Sequence, residues 1–236
     1  MFTVQEPSSR PFGFPPGLTG FGISPRWVCV EGPAGFRKSA AVAAIRDALV
    51  DYLSSACEHL GSGSIGRECA EEMVRQVRHV RQPGAVVQLP DGSAVSLRDV
   101  ASASLPAAAE FGLFLADRVL QNDRVAELLQ TSDLVIQERG AYSTYVYQCV
   151  LGGISPSLFA SVTAALTPQL PDLLVLLSNP DAIGADAEAY RNPPLHILRL
   201  CARNFALVST DGLSAAQIAQ AIVGAMSGQR LVLPTS

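Results

Sequence analysis

Apolar positions along this chain fall into two alternating patterns, short unbroken runs and longer stretches with helical spacing. The runs are Arg26–Glu31 (RWVCVE), Gly84–Leu89 (GAVVQL), Ser132–Glu138 (SDLVIQE), Pro171–Ser178 (PDLLVLLS) and Phe205–Thr210 (FALVST). Uninterrupted apolar runs of this length are expected of strands covered on both faces. Between them, helical spacing is read from Ser39 to about His59, from about Gly66 to Val80, over Pro106–Gln130, from Ser143 onward, and in a final segment opened by Ser214. Strands separated by helices specify right-handed crossovers. The expected architecture is therefore a three-layer α/β/α fold, a five-stranded parallel sheet flanked by helices. In such folds ligands bind beyond the carboxyl ends of the strands.

Residues 1–25 break both patterns. They hold several Pro and Gly with scattered Phe and no periodicity, and are read as an extended arm preceding one domain over residues 26–236. The GSGS tract at 61–64 and the charged stretch after it are read as a helical insertion over about 61–83. The length, 236 residues with 48% hydrophobic positions, is enough for one large core. A net charge of -4 argues against a nucleic-acid partner and leaves a small ligand as the default. The five cysteines are widely spaced and odd in number, which disfavours a disulfide framework or a zinc site. His59, His79 and His196 show no ligand spacing. No apolar run is long enough for a membrane span, and a cytoplasmic location is expected.

The chemistry is concentrated first at Gly32–Ser39, GPAGFRKS. It matches G-x-x-x-x-G-K-[ST] except at the sixth position, where Arg37 replaces glycine. The motif works because backbone N–H groups and a helix N-terminus face phosphates, lysine neutralises their outer oxygens and the hydroxyl meets Mg²⁺. Gly32, Gly35, Lys38 and Ser39 supply most of this, against the alternative of an ordinary strand-to-helix turn. Arg37 leaves two possibilities open. Either the loop is reshaped, or Arg37 takes an ordinary conformation and lends its charge to the phosphates.

A second constellation lies downstream, EFGLFLADR on the long helix and VIQERGAYSTYVYQ from the following strand into a helix. With the loop, these segments resemble the thymidylate kinase family of P-loop nucleoside and nucleotide kinases, which carries LLFAADR, then DRY or DRH, then STxAYQ in the same order. The resemblance implies an ATP- and Mg²⁺-dependent phosphotransferase, a small nucleotide acceptor and a homodimer. It implies roles residue by residue. Phe114 would stack on the acceptor base and Arg118 would bond its edge; Arg139 would hold the acceptor phosphate; Ser143, Thr144, Tyr147 and Gln148 would line base and sugar. Glu138, in place of the family's aspartate, would share Mg²⁺ with Ser39. Lys38 and Arg139 would stabilise the transferring charge.

Departures from the family fall on the acceptor side and on the lid. The family carries Arg-Glu-Pro-Gly-Gly after its second strand, and its arginine helps grip the acceptor phosphate. Reading GAVVQL as that strand leaves Gln88-Leu89-Pro90-Asp91-Gly92 there, without arginine or glutamate. Ala34 stands where the family's loop has aspartate. With Arg139, Arg37 and Arg98 as the remaining cations for an acceptor phosphate, a hydroxyl acceptor with Asp91 as general base becomes an alternative, as does a nucleotide-binding protein without turnover. The arginine-rich lid is thinned, which makes Arg37 and Arg191 the candidates for replacing its charge.

Overall fold

The computed structural model describes residues 18–35, 37–59, 66–84, 86–88, 90–102, 105–167 and 169–228. The first part of the arm, Phe36, Leu89 and the GSGS tract lie outside them. So do the side chains of Gln88 and Arg98.

Five strands form one parallel sheet: β1 (Trp27–Glu31), β2 (Val77–Arg81), β5 (Leu134–Glu138), β6 (Leu173–Ser178) and β7 (Asn204–Ser209), in the order β2-β5-β1-β6-β7. A separate antiparallel pair is made by β3 (Val86–Gln88) and β4 (Ala94–Ser96). The helices are α1 (Lys38–His59), α2 (Gly66–Val74), α3 (Leu97–Ser102), α4 (Ala107–Thr131), α5 (Ala141–Thr144), α6 (Pro156–Leu166), α7 (Ala185–Arg191), α8 (Leu195–Cys201) and α9 (Ala215–Met226).

Every residue of β1 and β5 is buried, as unbroken apolar runs require in the middle of a sheet covered on both sides. Their side chains alternate between the two faces of the sheet, where Trp27 and Val135 join Val80 and Val125 in a small cluster of their own. Val28, Val30, Leu134, Ile136, Val175 and Leu177 pack against α1, α2 and α9. Cys29, Leu174 and Leu176 face Phe111, Tyr142, Phe159 and Tyr190 on the other layer. The arm's end is built into the first core: Leu18 and Ile23 are buried there, and the Tyr52 hydroxyl donates to the Phe21 carbonyl at 3.1 Å. Ser214 opens α9 with a capping box to Gln217, as its position before an apolar helical stretch leads one to expect.

The second strand is not where the apolar run placed it. GAVVQL supplies the short β3 outside the main sheet, and the edge strand of that sheet is Val77–Arg81, in a stretch read as the end of an amphipathic helix. The helix stops at Val74. VRHVR needs few apolar residues because an edge strand has only one neighbour, and among its five side chains only Val80 is fully buried. Parallel pairing then aligns the carboxyl ends. Arg81 pairs with Glu138, Glu138 with Val30, and Glu31 with Leu176, so two carboxylates and an arginine meet at one edge of the sheet.

Candidate active site

At this edge the loop from β1 into α1 occupies the place of the expected phosphate cradle. Gly32 approaches Leu177 so closely that an added Cβ would lie 3.0 Å from the Leu177 Cβ, and Gly35 has φ 81°. Arg37 has φ 38°. Arg37 does not take an ordinary conformation: the position has the left-handed backbone that favours glycine, and arginine occupies it. Its guanidinium donates from Nη1 to the Leu213 carbonyl at 3.3 Å, in the loop that follows β7, rather than turning toward the lysine. Arg37, Asn179, Thr210, Leu213 and Ile218 line a cavity of about 340 Å³.

Lys38 is buried, and its ammonium donates to the Gly32 carbonyl at 3.2 Å, inside the cradle. Burial, reinforced by the Arg139 charge, lowers its pKa to about 8. The Ser39 hydroxyl donates to Glu138 Oε1 at 2.7 Å, and the same oxygen forms an ion pair with Arg81, 3.3 Å from its Nε. A hydroxyl and a carboxylate oxygen in contact beside a phosphate loop fit Mg²⁺, a hard cation that takes one or two protein oxygens and completes its shell with phosphates and water.

Glu31 organises the turn after β5. One of its oxygens accepts from the backbone N–H of Gly140 at 2.7 Å and of Ser143 at 2.9 Å, and the other from the Ser143 hydroxyl. This holds Arg139 at φ 68°, a conformation that costs a non-glycine residue about 1–3 kcal/mol and recurs where surrounding structure fixes a functional side chain. The Arg139 guanidinium donates to Ser143 Oγ at 3.1 Å and lies 5.5 Å from the centre of the Tyr147 ring. Gly140 is required here, because a Cβ would meet the Cys29 Sγ at 2.8 Å.

A second cavity, of about 380 Å³, opens between this turn and α4. Phe114, Arg139, Ser143, Thr144, Tyr147 and Gln148 line it, as the resemblance implied. Glu110, Gln82, Pro83 and Ala34 join them. Tyr147 and Gln148 are neighbours in sequence, yet both reach the cavity because Tyr145–Leu151 is a π-helical turn, a wider winding common at functional sites.

Several expected residues lie elsewhere. Asp91 is exposed at the β3–β4 turn, where it accepts from the Ser93 backbone N–H at 2.9 Å and its hydroxyl at 2.6 Å. These bonds, the side-chain one first, lower its pKa, and Asp91 lines neither cavity. Arg191 also lines neither: it donates to the Pro180 carbonyl at 2.7 Å and pairs with Glu188 at 2.8 Å. Arg118 is only 3% exposed and sits behind the wall of this second cavity, its Nη2 donating to the Gly140 carbonyl at 3.2 Å and to Thr144 Oγ1 at 2.5 Å.

The residues that sequence reasoning missed are Arg81, Gln82, Glu31 and Glu110. Arg81 ends β2 and Gln82-Pro83-Gly84 follow it, which resembles the family's Arg-Glu-Pro-Gly-Gly turn with Gln82 in the glutamate's place. The motif was legible in the sequence, but reading a helix through Val80 hid it. Glu110 was signalled by its spacing, one helical turn before Phe114 on the same face of α4.

A model of the family described as thymidylate kinase matches residues 94–193. No curated protein matches the chain in sequence. The fold is similar to that of thymidylate kinase from Ehrlichia chaffeensis, with a TM-score of 0.57 at 17% identity over 84% of this chain and 96% of that one. Its five-stranded parallel sheet flanked by helices is thus a P-loop nucleoside monophosphate kinase fold. In its motifs, in the family model that matches it and in its architecture, the chain resembles the thymidylate kinase-like group of P-loop kinases.

Proposed function

We propose that this protein is a nucleoside monophosphate kinase, transferring the γ-phosphate of ATP to a nucleotide held in the cavity beside Phe114. The observation that carries the reading is the convergence, at one edge of the sheet, of Lys38, the Ser39–Glu138 pair and Arg139, with a cavity on either side. Phosphoryl transfer needs little covalent help from the protein and much positioned charge. Lys38 would leave the loop carbonyls for the transferring phosphoryl oxygens, and Ser39 and Glu138 would hold Mg²⁺, which offsets charge between the phosphates. Arg139 and Arg81 would grip the acceptor phosphate, while Phe114 offers a face for the acceptor base. The alternative of a hydroxyl acceptor loses support, since Asp91, the base it called on, stands at an exposed turn.

The test is ADP release with ATP and Mg²⁺ across a panel of nucleosides and nucleoside monophosphates. One or more monophosphates should stimulate it, and Lys38→Ala should lower the rate by roughly 10²–10³-fold while leaving the fold intact by circular dichroism. If no acceptor stimulates release and Lys38→Ala binds ATP as well as the parent, the reading fails. The homodimer belongs to the same reading. Leu120, Val150, Leu151, Leu158 and Leu166 are exposed on α4, the π-helical turn and α6, which pack together, and gel filtration of Leu158→Glu against the parent tests that face.

A further inference from the structure

At the Glu110–Gln148 end of the acceptor cavity the polar atoms left free are acceptors, although the lining also holds Gln82 Nε2 and the Tyr147 hydroxyl, unpartnered among the described residues. Glu110 Oε2 accepts from Gln148 Nε2 at 3.1 Å. A carboxylate can only accept, so this bond fixes which end of the amide is which: the NH₂ is turned to Glu110, and the carbonyl oxygen is the free end. Among the described residues that oxygen accepts no hydrogen bond. Gln148 is only 2% exposed, so a base that fills the cavity covers its oxygen and leaves it unpaired unless the base donates to it. Glu110 itself lines the same cavity and keeps further lone pairs. Arg118 lies behind the wall, where its Nη2 donates to Gly140 and Thr144 while its Nε and Nη1 have no partner among the described residues, and it does not reach the lining.

Resting on the reading of this cavity as the acceptor site, we infer that Glu110 and Gln148 select a nucleoside monophosphate whose base carries an exocyclic amine. Two adjacent acceptors are met by the two hydrogens of a cytosine amine, or by the amine and ring N–H of guanine. A keto oxygen at that position, as in thymine or uracil, would face the carboxylate with no proton between them. A buried polar group left unpaired is what lets a site reject the analogue lacking its partner.

The experiment compares kcat/KM for matched pairs that differ by the amine, dCMP against dUMP and dGMP against dIMP, with dTMP alongside. In the parent protein the amine-bearing member of at least one pair should lead its partner by roughly tenfold or more. In Glu110→Gln the second amide can offer either end, and that ratio should collapse toward one, the amine-bearing acceptor losing more kcat/KM than dUMP or dTMP. A variant that merely loosened the pocket would lower all acceptors alike. Preference for dTMP or dUMP in the parent, or an unchanged ratio in folded Glu110→Gln, overturns the inference and leaves the kinase reading standing. If no monophosphate is phosphorylated, both are overturned together.

Discussion

The two cavities that flank the phosphate loop differ in how far folding alone has fixed their walls. On the proposed acceptor side Ser143, Thr144 and Gln148 are buried and bonded to Arg139, Glu31, Arg118 and Glu110. On the proposed donor side Gly35, Arg37 and Ser39 are exposed, and Arg37 is tied across its cavity by one bond to the Leu213 carbonyl. Buried polar groups must be paired to be tolerated, so the acceptor wall is set by the same interactions that stabilise the fold. An exposed loop carries no such demand and tolerates a residue its motif does not. The sequence departures therefore have opposite meanings on the two sides. The turn after β2 that looked lost is present, while the loop that looked nearly intact carries the real anomaly.

The sharpest way to break this comparison is to remove the acceptor side's fixed charge. Arg139→Ala should lower kcat/KM by roughly 10²–10³-fold, because the guanidinium is placed before any ligand arrives. Arg81→Ala should cost less, about tenfold, mostly as a higher KM for the monophosphate, since Arg81 is 45% exposed at its side chain and shares itself with Glu138. ATP affinity, measured by equilibrium titration, should change little in both. Loss of ATP binding in Arg139→Ala would mean that the two cavities are not separate subsites.

The same contrast explains what could be read from the chain alone. The central strands, α1, α4 and α9 were legible because burial on both faces, or a capping residue before an apolar stripe, leaves one reading. Phe114, Arg139 and the Ser143–Gln148 stretch were legible because their spacing survives as a motif. The edge strand was not, since VRHVR satisfies its single neighbour through the backbone and shows charge on the surface, which in sequence is indistinguishable from the last turn of a charged helix. That one misplacement removed Arg81 from the site and put Asp91 in its place. Glu31 was hidden for another reason, as a buried carboxylate whose partners are backbone N–H groups more than a hundred residues away.

A smaller effect tests the loop lysine through pH. With its pKa lowered to about 8 by burial and by the Arg139 charge, Lys38 is charged below that pH and loses its proton above it. ATP needs the charged form, and bound phosphates raise the lysine pKa again, so affinity should be flat from pH 6 to about 7.5 and weaken by about tenfold toward pH 9. Folding responds with the opposite sign. The unfolded lysine holds its proton up to its ordinary value, so this group's contribution to stability improves as pH rises through 8 toward 10.5. Lys38→Arg should flatten the binding profile. A parent protein whose ATP affinity is unchanged between pH 7 and 9 would show that the ammonium is not in the binding step.

The smallest expected effect falls on the residue with the strangest backbone. Arg37→Gly relieves a left-handed conformation worth about 1 kcal/mol but adds glycine's freedom to the unfolded chain and removes an exposed hydrogen bond, so stability should stay within about 1 kcal/mol of the parent. Its functional effect depends on where the guanidinium acts. Because it reaches the Leu213 carbonyl at the far wall of the donor cavity, removing it should shift the KM for ATP by about three- to tenfold and leave kcat within about threefold. The direction of the KM shift separates a side chain that must move aside for the donor from one that packs on it. If kcat instead drops by tenfold at unchanged KM, Arg37 swings to the phosphates during turnover. The anomalous residue would then belong to the chemistry after all, and the donor side would be completed only when its ligand binds.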